Sequence, residues 1–230
     1  MTRGPPSRVM RASAASGAVR QHDLVPLRPQ DVVRRGYDAI GSRYTEWSAA
    51  SEVRLRFVGE MLDRVPAESW VLDLGCGAGE PATRMLSERC NVIGVDLSEV
   101  QICMARRAAP AADFVIADIT RFALRPASVQ GVASFYALGH VPAAEHEPLL
   151  RVIADWLRPG GVLVTSAPIG ASEGVEEGWL GVPMFFGGIG QDATIKAAKE
   201  AGLQIELAER VPEEEGDGRT VEFLWLIAHK

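Results

Sequence analysis

Apolar residues at Val32, Val33, Tyr37, Ile40 and Tyr44 recur at helical spacing, and Val53, Leu55, Phe57, Val58, Met61, Leu62 and Val65 resume the pattern after a break. Two amphipathic helices are therefore expected over 31–66. Short apolar runs then alternate with helical stretches: strands at 70–74, 92–96, 114–116, 131–136 and 162–167, with helices at 81–89, 99–108 and 145–157 among them. The 99–108 helix has a start signal, Ser98 followed by Gln101 at capping-box spacing. The 145–157 helix stops at Arg158-Pro159-Gly160-Gly161. Alternation of this kind implies right-handed crossovers and a parallel sheet covered on both faces. After a glycine-rich insertion at 170–190, a helix at 192–201 leads into strands at 203–211 and 221–228, joined by an acidic turn at 212–219. Strands joined without a helix pair antiparallel. The expected fold class is α/β: a doubly wound, seven-stranded, mostly parallel sheet with an antiparallel C-terminal strand.

Length and composition refine this picture. A chain of 230 residues holds one sizeable core rather than two. Residues 1–30, rich in Arg, Ser, Ala, Pro and Gly and without apolar periodicity, read as a flexible arm before a domain over 31–230. An Arg-rich transit peptide, or sequence upstream of a start at Met10, has the same composition. The first 29 residues carry about +4 of a net charge of -6, leaving an acidic body. Nucleic-acid affinity comes from clustered cations, so no nucleic-acid partner is expected. No apolar run reaches the roughly 20 residues of a membrane span, so no membrane partner is expected either. Cys76, Cys90 and Cys103 are odd in number and lack C-x-x-C spacing. Neither a disulfide framework nor a zinc site is indicated, and a reducing, cytoplasmic setting is expected for a monomer or homodimer.

The chemistry is concentrated in Asp73-Leu74-Gly75-Cys76-Gly77-Ala78-Gly79, which ends the first strand and opens a helix. Alternate glycines allow backbone conformations and close approach that a Cβ would obstruct, and in open α/β sheets ligands collect at such strand ends. A dinucleotide fingerprint needs a third glycine where Glu80 stands, and no Gly-Lys-Ser/Thr follows to make a phosphate loop. An acid at the mouth of the helix also repels phosphate.

Asp73-x-Gly75-x-Gly77-x-Gly79 resembles the defining motif of the class I S-adenosylmethionine-dependent methyltransferases, and element order extends the resemblance from about residue 31 to the end. The resemblance implies S-adenosylmethionine as cofactor, leaving as S-adenosylhomocysteine. It places Asp96 on the ribose hydroxyls, Leu97 and Ile119 against adenine, Asp118 on the exocyclic amine, and Asp73 near the methionine amino group. Gly75, Cys76, Gly77 and Gly79 form the loop, and Phe135 lies in the segment running under the cofactor. Tyr37 and Tyr44 resemble lid tyrosines over the methionine end. Bland alternatives stand beside these roles: Asp73 and Asp96 as local caps, and the tyrosines as core aromatics.

Methyl transfer from a sulfonium is an in-line displacement that needs positioning above all, with a base only for a nucleophile of high pKa. His140, just past the fourth strand, is the candidate base, and Tyr136 an orienting residue; a structural histidine and core packing are the competing readings. His146 is expected on the solvent face of its helix. In the insertion, Trp179, Met184, Phe185 and Phe186 suggest an apolar acceptor pocket, with a dimer contact or sheet cover as the alternative. No Asn/Asp-Pro-Pro-Tyr motif follows the fourth strand, so the amino-methylating nucleic-acid enzymes are not suggested, and no magnesium-type cluster of acids and histidines is present, so no metal is expected. The sum is O-methylation of a small molecule. The scarcity of lysine, confined to Lys196, Lys199 and Lys230, hints at bacterial specialised metabolism. N- or C-methylation, a nicotinamide-dependent oxidoreductase and a non-catalytic cofactor-binding protein remain open at this point.

Overall fold

The computed structural model describes residues 27–48, 51–214 and 218–230, so nearly all of the expected N-terminal arm, and residues 215–217 of the acidic turn, lie outside the described residues. Among the described residues three helices rather than two precede the sheet: α1 (Pro29–Ile40), α2 (Ser42–Ser48) and α3 (Glu52–Arg64). The first expected helix is split at Gly41, which takes φ +57°, so Tyr37 and Tyr44 sit on separate helices. At the start of α3, Ser51 Oγ accepts a hydrogen bond from the Arg54 amide at 3.1 Å, satisfying one of the helix's orphan donors.

The strands are β1 (Trp70–Leu74), β2 (Asn91–Asp96), β3 (Asp113–Ile116), β4 (Val129–Ser134), β5 (Leu157–Pro168), β6 (Ala171–Trp179), β7 (Val182–Ile189), β8 (Gln204–Glu214) and β9 (Thr220–His229). Seven form one sheet in the order β3-β2-β1-β4-β5-β9-β8, while β6 and β7 form a separate antiparallel pair. From β3 to β5 all neighbours are parallel, and β9 runs antiparallel to both β5 and β8. Helices α4 (Ala82–Ser87), α5 (Glu99–Ala108), α6 (Ala143–Trp156) and α7 (Gln191–Glu200) make the crossovers and cover, and a single 3-10 turn, Ala137–His140, follows β4. Among the described residues no helix is long and apolar enough to cross a membrane.

Two apolar layers sandwich the sheet. On one side Phe57, Val58 and Met61 of α3 and Leu86 of α4 pack with Trp225 of β9, whose ring stacks on Phe57 at 4.2 Å between centroids. On the other, Leu149, Leu150 and Ile153 of α6 meet Ala197 and Ala198 of α7. Strands buried on both faces read as continuous apolar runs, which is why β1 and β4 were visible in the sequence.

Four expectations need correction. The 170–190 insertion is the β6–β7 hairpin, not a loop. It hid because β6 is exposed along nearly its whole length and shows no apolar alternation. Arg158 to Gly161 belong to β5 instead of a turn, since Gly160 and Gly161 exchange backbone hydrogen bonds of 2.9 Å with the C-terminal Lys230. Pro212, Glu213 and Glu214 extend β8 rather than lying in the turn. His146 is fully buried, not solvent-facing, because the hairpin packs over the start of α6; its Nε2 donates to the Val141 carbonyl at 3.0 Å.

The chain leaves β1 toward β2 on one side and β4 toward β5 on the other. Their carboxyl ends therefore flank a topological switch point, where a crevice opens.

Candidate active site

Gly75, directly after β1, takes φ +71°, and a Cβ there would collide with Ala137 in the turn after β4. The two loops of the switch point can meet only around a glycine. The Gly77 amide donates to Asp96 Oδ2 and the Ser98 amide to Asp96 Oδ1, both at 2.9 Å. The carboxylate at the end of β2 is thus oriented by backbone, and each oxygen keeps an accepting lone pair. It lines a crevice together with Leu97, Asp118, Ile119 and Phe135. Burial raises the Asp96 pKa, and the backbone donors of Ser98 and Gly77 pull it back. Asp118 is steadied by the Thr120 amide and hydroxyl, which both donate to its Oδ1 at 2.9 Å.

Gly79 departs from its expected role. At φ +77° it faces α5, where a Cβ would come within 3.2 Å of Ala105; it permits helix packing and does not line the crevice. Asp73 is buried in β1 and accepts from Thr83 Oγ1 at 2.6 Å. Burial pushes its pKa up to about 6, against the pull of Thr83 and of the Arg54 guanidinium. Asp73, Arg54, Tyr44 and Cys76 share a small recess beside the glycine loop. A carboxylate and a guanidinium in one recess suit a zwitterionic amino-acid end. Burial holds the Cys76 thiol far above its ordinary range, so it is a neutral wall and no nucleophile.

Helix α1 lies over the crevice and is tied to α5. Ser98 Oγ donates to Asp38 Oδ1 at 2.6 Å, and Gln101 Nε2 donates to the carbonyls of Gly41 at 3.0 Å and Tyr37 at 3.4 Å. The expected capping box is therefore half formed: Ser98 Oγ accepts from the Gln101 amide at 3.1 Å, but the Gln101 side chain holds α1 instead of reaching back. So held, Tyr37 Oη lies 2.8 Å from His140 Nε2, while His140 Nδ1 lies 2.8 Å from the Phe185 carbonyl. A carbonyl only accepts, so Nδ1 carries the proton, Nε2 is the acceptor, and the Tyr37 hydroxyl donates to it. Enclosure by neighbouring rings lowers the His140 pKa to about 4. Burial also carries Tyr37 well above the usual phenol range, so the pair is neutral around pH 7.

Tyr136 sits just past β4 at φ +64°, a strained conformation for a residue with a Cβ. It is held by its amide donating to Ser166 Oγ at 2.7 Å and its hydroxyl donating to Glu213 Oε2 at 2.5 Å. The Arg54 guanidinium lies 4.6 Å from its ring centroid.

Beyond this cluster a larger cavity of about 800 Å³ opens between α1, the β6–β7 hairpin and the ends of β8 and β9. Tyr37, Tyr44, Tyr136 and His140 line both it and the crevice. Trp179 and Phe186 stand on its wall, but Met184 and Phe185 do not. Phe185 points to the opposite face of β7 from Phe186, as alternate strand residues must. Met184, on the Phe186 face, is covered by α1 at Gly36. Phe185 reaches the site through its carbonyl alone.

Sequence reasoning missed Arg54, Glu213 and the lid-holding role of Gln101. Leu55 was read as an inward apolar position, yet it is 41% exposed whereas Arg54 is 6% exposed. The phase of Phe57, Val58 and Met61, all fully buried, already turns position 54 inward.

Residues 71–161 match the family model described as Methyltransferase domain. The chain is 37% identical over 134 residues to a trans-aconitate 2-methyltransferase of Paracidovorax citrulli, covering 54% of this chain and 50% of the relative. It is 32% identical over 184 residues to the 27-O-demethylrifamycin SV methyltransferase of Amycolatopsis mediterranei, covering 72% of this chain and 66% of the relative. The chain thus spans about half the length of the trans-aconitate enzymes it matches. In fold it is similar to a TehB-like SAM-dependent methyltransferase from Corynebacterium glutamicum, with TM-score 0.63 and 22% identity over 85% of this chain and 98% of that one. It is likewise similar to the 1,6-didemethyltoxoflavin-N1-methyltransferase of Burkholderia thailandensis, with TM-score 0.67 and 17% identity over 90% of this chain and 92% of that one.

Proposed function

The chain belongs to the class I S-adenosylmethionine-dependent methyltransferase family, and on that premise we propose that it methylates an oxygen atom of a small molecule, in bacterial specialised metabolism, with the acceptor bound in the larger cavity. The observation that carries this reading is the shared wall: Tyr37, Tyr44, Tyr136 and His140 border both the glycine-loop crevice and the cavity, so a donor in one and an acceptor in the other would meet there. The Amycolatopsis relative, named for 27-O-demethylrifamycin SV and matched over 72% of this chain, supports oxygen as the acceptor atom.

The residues present fit the cofactor. Asp96 would offer the ribose hydroxyls two pre-oriented oxygens; Leu97, Ile119 and Phe135 would flank the base, and Asp118 would accept from its amine. Asp73 and Arg54 would take the ammonium and carboxylate of the methionine end. Bound there, S-adenosylmethionine supplies a methyl group on a positively charged sulfur.

The chain's own work is orientation and proton management. Because His140 Nε2 is engaged by the Tyr37 hydroxyl, the group that faces the acceptor is the Tyr37 oxygen, and His140 acts through it. The acceptor hydroxyl donates to that oxygen. As the acceptor oxygen gains its methyl, its proton passes to Tyr37 while the Tyr37 proton passes to His140 Nε2, and the Phe185 carbonyl steadies the imidazolium at Nδ1. Incubation with S-adenosylmethionine and an acceptor library, read by mass for a gain of one CH₂ and for S-adenosylhomocysteine, tests the proposal. Failure to bind S-adenosylhomocysteine, with Asp96→Ala indistinguishable from the parent chain, sinks it.

A further inference from the structure

The larger cavity has a one-sided charge. Among the described residues Glu52, Glu176, Glu213, Glu214 and Glu222 line it, against the guanidinium groups of Arg54 and Arg219. Arg219 is drawn to Glu176 at 3.8 Å. Arg54 is turned to the Tyr136 ring, to the Tyr44 hydroxyl at 3.3 Å and to the Glu80 carbonyl at 3.5 Å, on the side of the glycine loop.

Glu213 distinguishes this wall from a scatter of surface acids. It is half-buried on β8, and its carboxylate is fixed by three neutral donors: the Tyr136 hydroxyl at 2.5 Å and Ser51 Oγ at 3.1 Å to Oε2, and Trp225 Nε1 at 3.2 Å to Oε1. Such donors fix the carboxylate in place without setting a countercharge against it. Aromatic rings stand among the carboxylates, with Tyr136, Trp179, Phe186 and Phe223 around the space. Carboxylates and aromatic faces together attract a cation, by Coulomb attraction and through the ring quadrupoles.

We propose that the acceptor is a cationic, amine-bearing molecule with an aromatic or apolar body, and that polycarboxylates are excluded. This rests on the reading of the cavity as the acceptor site. The apolar body lies against Trp179 and Phe186, whose rings meet edge to face at 5.5 Å between centroids, next to His140, which brings the nucleophilic oxygen to Tyr37. The ammonium reaches toward Glu213 and the carboxylates of the rim, at a distance from the positive sulfur that a cation beside the nucleophile would oppose. A tricarboxylate would instead meet a wall of its own charge.

Tyramine, N-acetyltyramine and 4-hydroxyphenylacetate share a phenol oxygen and differ in the charge of the distal group, so they serve as probes, with trans-aconitate as a fourth. Each is titrated calorimetrically into the full chain saturated with S-adenosylhomocysteine. Tyramine is expected to bind about tenfold tighter than its acetyl analogue, with both anions weaker still. Glu213→Gln should shrink the tyramine preference severalfold, and Glu222→Gln, on the exposed rim where folding is not at stake, should shrink it in the same direction by less. Binding of either anion as tight as tyramine, binding by none of the four at millimolar concentration, or a preference unchanged in both variants overturns the proposal. Those outcomes, with S-adenosylhomocysteine still bound, leave the methyltransferase reading standing; loss of S-adenosylhomocysteine binding removes both.

Discussion

Two buried titratable groups pull the stability of this molecule in opposite directions. The folded-state pKa of Asp73, about 6, lies above its ordinary 3.8; the native state holds that proton more tightly, so its contribution is intact below pH 3.8 and lost as pH rises through 6. His140 is the reverse. Its folded value of about 4 lies below 6.5, so the native state resists protonation, and stability is full above 6.5 and lost as pH falls toward 4. Asp73→Asn removes the first penalty while keeping an acceptor for Thr83. At pH 8 the variant without cofactor should be more stable than the parent by on the order of 2–3 kcal/mol, the gap should close at pH 4, and affinity for S-adenosylhomocysteine should fall. Melting curves at the two pH values check the first part and calorimetry the second. The Tyr37–His140 pair predicts its own signature. Tyr37→Phe should lower kcat by about 10²-fold with S-adenosylhomocysteine affinity retained. The parent's kcat should show no acid limb near pH 6.5, since His140 stays neutral until about pH 4.

Among the elements, α1 is the one whose position decides whether a site exists, because it carries Tyr37 to His140. It is fastened by side chains of α5 and its cap, not by sheet hydrogen bonds. Gln101, fully buried, donates to the carbonyl at the end of α1. Gln101→Ala should therefore speed amide exchange across 29–41 while leaving β1 and β2 protected, and lower kcat through a misplaced Tyr37. Equal loss of protection in the strands would mean that Gln101 serves the core at large. The same element marks the limit of what the sequence discloses. Asp73, Asp96 and Asp118 were legible because each stands at the end of an apolar run, and in a parallel sheet all such ends face one crevice. Gln101 was legible as a helix start but not as the strut to α1, since its partner is 60 residues away. The hairpin was hidden for a related reason: one of its strands is nearly all exposed, and α1 and α2, brought from the other end of the chain, give Met184 and Trp179 something to pack against.

Across the whole molecule the sheet divides the labour. The β3-β2-β1-β4 half holds the residues proposed for the cofactor apart from Arg54 of α3, and these come from strand ends that alternation exposes in sequence. The acceptor cavity is assembled from α1, the hairpin and the ends of β8 and β9, none consecutive with the glycine loop. Periodicity therefore conveyed the seven strands of the main sheet and the antiparallel C-terminal strand, but neither the β6–β7 hairpin nor the insertion of β9 between β5 and β8, which is what carries Glu213 to Tyr136. Trp225 spans the two halves: its ring stacks on Phe57 in the core while its indole N–H donates to Glu213 at 3.2 Å. A ligand that binds only the native state adds RT ln(1 + [L]/Kd), about 2.7 kcal/mol at a hundredfold excess over Kd, which in a chain of this size is about 5–10 °C in Tm. S-adenosylhomocysteine should raise the melting temperature of the parent by that amount. Trp225→Phe keeps the stack and loses the indole N–H, so it should melt slightly lower and keep the full ligand shift, with acceptor KM raised because the Glu213 carboxylate has lost a positioning donor. Asp96→Ala should abolish the shift, since it removes the acceptor for both loop amides together with the oxygens offered to the sugar. A reduced shift in Trp225→Phe would mean that the two halves are coupled through the core, and that cofactor and acceptor affinities must be treated as one equilibrium.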